Sequence, residues 1–389
     1  MTNREFSIMQ ENDINKQIKD LKCGGGRNSG IDLLRSIAMF MVVVLHVLNY
    51  GVEYESLPPF SINWGIAWFL EGASIVAVNI YAAISGYVLV DKKWKISRII
   101  NLWQEVFFYS VLSILILLVF TPNSIGVEDI IKAFFPICSQ QFWYFTAYFG
   151  MFWFIPILNW IINTLEFNKF QRLIWSLLIV FGFLPWISEV LGASSFGVQG
   201  GYTSLWLTIL YMIGAGIKKY GFQIFSINKQ DFSKKWFGGM AVLCIVLIFL
   251  SKVALSTITM SIFGKEILTG HFYSYLSPLV VMESVYLLCF FSKLKIKNYK
   301  FWANLSKITF GVYLFHQTGA FYKFVWNYFA KYRDTSALLF VGVVLGGALL
   351  IFVVCSFIEK IRCKLFDIFK VREIANIIEK QIKKILLTR

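Results

Sequence analysis

The stretch GIDLLRSIAMFMVVVLHVLNYG, residues 30–51, has the length and apolar content of a membrane-spanning helix, yet it contains three ionisable side chains. A bilayer core about 30 Å thick needs a helix of about 20 mostly apolar residues. Asp32, Arg35 and His46 interrupt this run. Such groups cost about 2.5–3.5 kcal/mol each near the bilayer centre and usually face an internal site. The stretch therefore predicts both a membrane anchor and a polar site.

The composition of the whole chain agrees with a membrane protein. Of 389 residues, 57% are hydrophobic and only 15% are charged, and the mean hydropathy is +0.64. A soluble domain averages about 25% charged residues. We therefore predict an all-α polytopic membrane protein that is embedded in the lipid bilayer.

The net charge of +15 would raise the question of nucleic acid in a soluble protein. Here the basic residues lie between apolar runs, where they set the orientation of a membrane protein and meet anionic headgroups. No continuous basic and aromatic stripe lies outside these runs, so no nucleic-acid partner is predicted. The six cysteines lack the spacing of metal ligands, and no metal site is predicted.

The distribution of Lys and Arg predicts the topology. Starting from a cytoplasmic N-terminus, the segments that would face inward hold 29 basic residues and those that would face outward hold 5. This asymmetry follows the positive-inside rule and predicts about ten transmembrane helices with both termini in the cytoplasm. The predicted spans are 31–50, 66–90, 99–120, 142–165, 170–191, 203–217, 236–254, 272–292, 303–329 and 336–357.

Three parts of the chain follow from this pattern. Residues 1–30 form a polar N-terminal segment, residues 31–357 the transmembrane domain, and residues 358–389 a basic tail. The tail is predicted to be an amphipathic helix on the inner membrane surface. Its apolar stripe consists of Ile374, Ile378, Ile382 and Ile385.

The first predicted helix places two functional groups on one face. The eleven-residue step from Arg35 to His46 turns the helix by about 1100°, roughly 20° past three turns, and rises about 16 Å. Asp32 precedes Arg35 by three residues and is predicted to pair with it. The alternative is an arginine that reaches the membrane surface and a histidine that is hydrogen-bonded in the core.

Further ionisable groups in other runs suggest that the helices enclose a polar cavity. They include Glu71, Glu105, Glu283 and His316. For Glu105, an ion pair with Arg98 on the same helix face is at least as plausible as a substrate contact. His316 is equally consistent with cavity lining and with a satisfied core histidine. Trp143 and Tyr144 are candidates for the cavity wall or for an interfacial aromatic belt.

The segment DKKWKISRIINLW, residues 91–103, opens the third run with a cluster of basic residues that includes Lys95 and Arg98. The positive-inside bias explains such a cluster by itself. The cluster would also suit an anionic cytoplasmic ligand, because cations and a helix N-terminus attract phosphate groups.

Four segments in order resemble the membrane-bound acyltransferase family 3, which includes bacterial polysaccharide and peptidoglycan O-acetyltransferases. Arg35 and His46, with ten residues between them in DLLRSIAMFMVVVLH, resemble its first-helix signature. The later segments are VNIYAAISGYVL, QFWYFTAYFGMFWFIPIL and LSKITFGVYLFH. The resemblance covers residues 30–357. One departure is Lys95-Ile-Ser-Arg98, where many members have Arg-x-x-Arg, since Lys lacks the bidentate fork of Arg.

The resemblance implies an O-acyltransferase that moves an acetyl or other short acyl group from cytoplasmic acyl-CoA to a hydroxyl of a surface or exported glycan or a lipid-linked oligosaccharide. Acyl-CoA would be a co-substrate, with no permanently bound cofactor, and the location would be the bacterial cytoplasmic membrane. His46 would be the general base, and Arg35, oriented by Asp32, would position the donor or stabilise charge. Lys95 and Arg98 would bind coenzyme A. The candidates for the cavity wall are Glu105, Trp143, Tyr144 and His316.

The main alternative is a transporter or binding module for small, amino-acid-like solutes that performs no acyl transfer. A midplane cavity with charged groups fits either class. A transporter would move solute without acyl-CoA, whereas the enzyme would consume acyl-CoA and leave an ester. A purely structural bundle would leave the intramembrane Asp, Arg and His without a purpose. The sequence does not predict the oligomeric state.

Overall fold

The computed structural model describes residues 27–226 and 232–387, which form helices joined by turns and contain no β-strand. The all-α fold is thus confirmed for these residues. Of the predicted N-terminal segment 1–30, only residues 27–30 lie within the described ranges. The α-helices there are α1 Ser29–His46, α2 Ile62–Ser74, α3 Ala77–Leu89, α4 Ile96–Phe120, α5 Val127–Phe134, α6 Trp143–Phe152, α7 Ile155–Thr164, α8 Phe167–Leu178, α9 Leu184–Val190, α10 Ser204–Tyr220, α11 Lys234–Phe263, α12 Pro278–Ser292, α13 Tyr299–His316, α14 Gly319–Phe324, α15 Ala337–Ile368 and α16 Val371–Leu387.

Seven helical segments of the described chain are long and apolar enough to cross a membrane, and the bent pair α6 and α7 would make eight. These two helices meet at 57°. Pro156 stands in the first turn of α7, where it has no amide to continue the hydrogen bonding of α6. The protein is therefore a multi-pass membrane protein by length and composition of its helices.

Two of the predicted spans take a different form. The run 203–217 is α10, whose 17 residues reach only about 25 Å, less than a bilayer core. The run 303–329 is divided after His316 into α13 and the short helix α14. The number of about ten spans and the cytoplasmic position of both termini stay predictions.

Helix α1 lies inside the bundle and not at its lipid-facing surface. It packs against α2, α3, α12, α13 and α15. Asn28 caps its N-terminus by accepting hydrogen bonds from the amides of Gly30 and Ile31, and donates to the carbonyl of Ser292 at 2.8 Å. By contrast, α15 exposes a row of large apolar side chains that includes Leu349, Val353 and Phe357. The ionisable residues of α1 are thus surrounded by protein.

Helices α3 and α10 approach so closely that only glycine fits at two positions. A Cβ atom at Gly86 would overlap the carbonyl oxygen of Tyr211, and one at Gly214 would overlap that of Ala83. Such small residues allow close backbone packing between membrane helices. The short α10 is thereby held against α3, which also carries Tyr81 towards the centre of the bundle.

The tail continues the last long helix before it turns. Helix α15 extends to Ile368, beyond the predicted boundary at 357, and α16 then continues along α4 towards its N-terminus, from Gln104 to Ser97. In α16, Ile378 and Ile382 are half-buried, whereas Ile374 and Ile385 are exposed. Part of the apolar stripe therefore docks on the protein, whereas its two end isoleucines stay exposed. Contact of the tail with the membrane surface stays a prediction.

Candidate active site

His46 is the last residue of α1, and the backbone changes its winding immediately after it. Residues Val47–Gly51 form a π-helical segment. Single π turns inside helices are frequent at functional sites. The segment brings the ring of Tyr50 over the imidazole of His46, with 5.2 Å between the ring centroids.

A second helix end brings two partners to His46. Nε2 of His316 lies 2.7 Å from Nδ1 of His46, and the side-chain amide of Gln317 lies 2.8 Å from the same atom. Helix α13 ends at His316. Thr318 then begins α14, since its hydroxyl accepts a hydrogen bond from the amide of Phe321. The break between the two helices turns both His316 and Gln317 towards α1.

The hydrogen bonds assign the protons of the histidine pair. Nδ1 of His316 faces the carbonyl oxygen of Val312 at 2.5 Å, which can only accept, so this nitrogen carries the proton. Nε2 of His316 then accepts from Nδ1–H of His46. The Gln317 amide is placed with its Nε2 atom 2.8 Å from this Nδ1, and we assign it the flipped orientation, in which its oxygen accepts from the same N–H. The Nε2 atom of His46 is left with its lone pair, as a general base requires.

His46 borders a cavity and does not face lipid. The cavity holds about 60 Å³ for the centres of water-sized groups, and about 10–15 Å³ suffices for one water. Trp143 and Tyr144, two candidates from the sequence, both line it. The other polar or aromatic lining residues are Tyr81, Tyr275, Phe310 and Tyr313. Aliphatic side chains complete the wall, so the cavity can hold water or a substrate group in surroundings of low polarity.

Arg35 lies about three turns before His46 on α1 and is not among the residues that line the cavity. Its guanidinium is within electrostatic range of the hydroxyls of Tyr81, Tyr144 and Tyr148. Tyr81 also donates a hydrogen bond to the carbonyl of Arg35 at 2.9 Å. Arg35 forms no ion pair with any carboxylate of the residues that the structure describes. It is thus a cation that faces tyrosines and has charge available for a ligand.

Asp32 pairs with Arg27 and not with Arg35, so the predicted Asp32–Arg35 pair is wrong. Nε and Nη2 of Arg27 lie 2.6 Å and 2.8 Å from the two carboxylate oxygens of Asp32, and the hydroxyl of Ser306 donates at 2.9 Å. The bidentate fork of Arg27 comes from the chain before the helix, where its direction is not limited by helix geometry. Asp32 therefore fastens α1 to α13, the helix that ends in His316.

Glu105 pairs with Arg362 of α15 at 3.3 Å, so the proposed Arg98–Glu105 pair is not formed. Arg362 is fully buried and also pairs with Glu359, which accepts a hydrogen bond from Tyr109 at 2.7 Å. A buried guanidinium attracts the carboxylates within its reach. Glu105 is not among the residues that line the cavity of His46. It belongs to a buried ion cluster that joins α4 to α15.

Lys95 and Arg98 stand at the start of α4. Lys95 is exposed, and Arg98 is half-buried and lies, like Arg35, within electrostatic range of Tyr148. Neither pairs with a carboxylate of the described ranges. The amide of Ser97 at this helix N-terminus is already bonded to Glu379 of α16. An anion would therefore meet the two side chains here, and one amide of the helix N-terminus is not available to it.

The sequence missed three residues that the structure adds to this site. Tyr81 lines the cavity and donates a hydrogen bond to the carbonyl of Arg35, and Tyr148 lies within electrostatic range of both Arg35 and Arg98. No spacing in the sequence indicates such proximity between helices. The sequence contained only a weak indication of the role of Gln317 and of the contact between His316 and His46. In the segment HQTG, the Thr-Gly pair is typical of a helix that restarts, and a restart redirects the side chains before it.

Comparison with known proteins gives one match. A family model described as an acyltransferase domain matches residues 28–359. No curated protein and no solved structure matches the chain. The matched range includes α1 with Arg35 and His46, and also His316 and every residue that lines the cavity. The chain therefore belongs to acyltransferase family 3 and is a multi-pass membrane acyltransferase.

Proposed function

We propose that the protein is an O-acyltransferase of the bacterial cytoplasmic membrane. It transfers an acetyl or other short acyl group from acyl-CoA in the cytoplasm to a hydroxyl of a surface or exported glycan. The observation that supports this most is the contact between His46 and His316 beside the cavity. It leaves Nε2 of His46 unprotonated beside a space that can receive a substrate.

In the proposed reaction, Nε2 of His46 takes the proton from the acceptor hydroxyl as the oxygen attacks the thioester carbonyl. The new C–O bond forms, the C–S bond breaks, and the proton passes to the sulfur, so coenzyme A leaves as a thiol. The imidazolium formed on the way is stabilised by the hydrogen bond from its Nδ1–H to His316. This arrangement repeats the base-and-orienting-group logic of catalytic triads.

The donor is proposed to enter from the end of the bundle that carries Arg98. Arg35 and Arg98 both act on Tyr148, and guanidinium groups bind phosphates by two parallel hydrogen bonds. The rise from Arg35 to His46 is about 16 Å, a distance that the long, thin arm of coenzyme A can bridge. The phosphates would thus stay near the basic residues while the thioester reaches His46.

The test uses the purified protein in lipid nanodiscs with labelled acetyl-CoA and glycans from the surface of the cells that produce it. Ester formation and thiol release are measured for His46→Gln. We expect transfer to fall by about 10²–10⁴-fold, the usual contribution of a general base. His271→Gln is the matched control, because His271 stacks on Trp186 at 4.4 Å and does not line the cavity.

Full transfer in His46→Gln would refute the role of His46. Solute uptake into vesicles without acyl-CoA, combined with the absence of an ester on any glycan, would instead favour the transporter or binding module. Release of the thiol without any ester would show that the acceptor is not a glycan of those cells. Ester and thiol are measured in nanodiscs, and uptake is measured with the same purified protein reconstituted into vesicles.

A further inference from the structure

Exposed aromatic rings continue the wall of the His46 cavity to the surface. Tyr202 is 51% exposed, and its ring lies 4.5 Å from that of Trp143 and 5.1 Å from that of Tyr275 between centroids. Trp143 and Tyr275 both line the cavity. Tyr50, which stacks on His46, is 40% exposed. An extended molecule that lies on Tyr202 could therefore reach His46 past these rings.

A second pocket lies close to Tyr202 in the chain and in space. It lies between α9 and the loop that follows, with about 220 Å³ for the centres of water-sized groups, and Glu189, Ser194 and Gly200 line it. Gly200 lines this pocket and is also close to Tyr202. A Cβ atom there would stand 3.6 Å from Oε1 of Glu189 and 3.8 Å from the ring of Tyr202. The carboxylate of the pocket and the ring of Tyr202 are therefore neighbours.

The polar groups of the second pocket can bind hydroxyls. Oε1 of Glu189 accepts a hydrogen bond from Ser274 at 3.1 Å, while its Oε2 has no partner among the residues that the structure describes. Ser194 is exposed beside it. No Lys or Arg of the described ranges lines this pocket. A carboxylate next to hydroxyls and open aromatic faces suits a polyhydroxylated ring, since the carboxylate accepts hydrogen bonds and the aromatic faces pack on C–H groups.

We propose that this surface is the acceptor subsite, in which Tyr202 and the Glu189 pocket bind a neutral sugar unit of the glycan. The neighbouring unit would then place its hydroxyl beside His46. The charge of Glu189 disfavours uronic acids and other anionic sugars, because like charges repel at close range. The role of the glycan as acyl acceptor rests on the proposed function, but binding of the glycan to this surface needs no acyl donor.

The experiment measures oligosaccharide binding to the full chain in nanodiscs without acyl-CoA, by saturation-transfer NMR. The probes are maltotetraose, tetragalacturonate, and the neutral and acidic oligosaccharide fractions from the surface glycans of the producing cells. We expect the neutral probes to bind and Tyr202→Ala to weaken them about tenfold, the equivalent of about 1.4 kcal/mol. Tyr328→Ala, at a tyrosine 68% exposed outside both pockets, should leave binding unchanged.

Glu189→Gln tests the charge. The amide still bonds hydroxyls but carries no charge, so the variant should keep the neutral probes and gain the acidic ones. Three results would each overturn the proposal. No probe binds, Tyr202→Ala binds the neutral probes as well as the native protein does, or the native protein prefers the acidic probes. Tyr202-dependent binding without any ester formation would support the subsite and count against the proposed function, so the two failures are distinguishable.

Discussion

Two buried polar groups of the bundle differ in what surrounds them. The histidine pair, His46 and His316, sits where two helices end. Its member His46 borders a cavity and keeps one ring nitrogen with a lone pair. The ion cluster, which consists of Glu105, Glu359 and Arg362, joins α4 to α15, and its opposite charges pair with each other. Burial of an ionisable group therefore does not by itself indicate a reactive site. A reactive site is indicated by a polar atom that keeps a free lone pair and faces a cavity.

The largest expected effect concerns the ion cluster and affects folding alone. Arg362→Met leaves the buried Glu359 and the half-buried Glu105 without their cation, and breaking a buried pair from one side costs about 3–5 kcal/mol. We expect a markedly lower midpoint of thermal unfolding in detergent. Acyl transfer per folded molecule, measured well below that midpoint, should be unchanged.

A triple variant is the control for this prediction. Arg362→Met combined with Glu359→Gln and Glu105→Gln removes the uncompensated charges and should recover much of the lost stability. If Arg362→Met instead lowered transfer at full stability, the ion cluster would be part of the chemistry and the contrast with the histidine pair would disappear.

The next effect concerns the histidine pair and affects the reaction more than binding. His316→Ala removes the acceptor that holds the proton on Nδ1 of His46, so the base is no longer fixed in the reactive tautomer. We expect kcat to fall about 10²-fold while the KM for acyl-CoA stays within a few-fold of that of the native protein. His316→Gln offers an amide oxygen in place of Nε2 and should restore part of kcat.

These two variants separate orientation from packing. If His316 had only a structural role, both variants would lower the folded fraction, and kcat per folded molecule would be the same in His316→Ala and His316→Gln. Equal kcat values for His316→Ala, His316→Gln and the native protein would show that His46 needs no orienting partner.

The contrast between the two groups was only partly predictable from the sequence. The spacing of Arg35 and His46 predicted one shared face, because helix geometry fixes the relative direction of residues on one helix. The ion-pair partners of Asp32 and Glu105 were mispredicted, because residue spacing gives information only about side chains on the same helix. Asp32 bonds Arg27 from the chain before α1, and Glu105 bonds Arg362 from a distant helix. Such contacts depend on tertiary packing, which periodicity does not encode.

The helix break at His316 shows the same limit in the fold. The apolar run 303–329 reads as one long span, since hydropathy is insensitive to the direction of a helix. The structure divides this run, and the division brings His316 and Gln317 to His46. The family resemblance located the segment, but the contact that gives it a chemical role needed three dimensions.

The smallest expected effect lies outside the membrane-spanning part, where α16 docks on α4. The carboxylate of Glu379 accepts a hydrogen bond from the amide of Ser97 and pairs with Lys383 at 2.7 Å. These contacts lower the pKa of Glu379 from 4.5 to about 2. Because the docked state has the lower pKa, the docking contribution is fully present above about pH 4.5. It is lost as the pH falls towards about 2.

Glu379→Gln at neutral pH should therefore loosen α16 and leave the histidine pair untouched. We expect amide exchange in α16 to accelerate less than about tenfold, since such contacts contribute at most about 1 kcal/mol. Glu373→Gln, at an exposed carboxylate on the same helix, should change neither the amide exchange of α16 nor the rate of acyl transfer. If Glu379→Gln also raised the KM for acyl-CoA, the docked tail would hold Lys95 and Arg98 in position for the donor. The tail would then belong with the histidine pair as part of the site and not with the ion cluster as part of the scaffold.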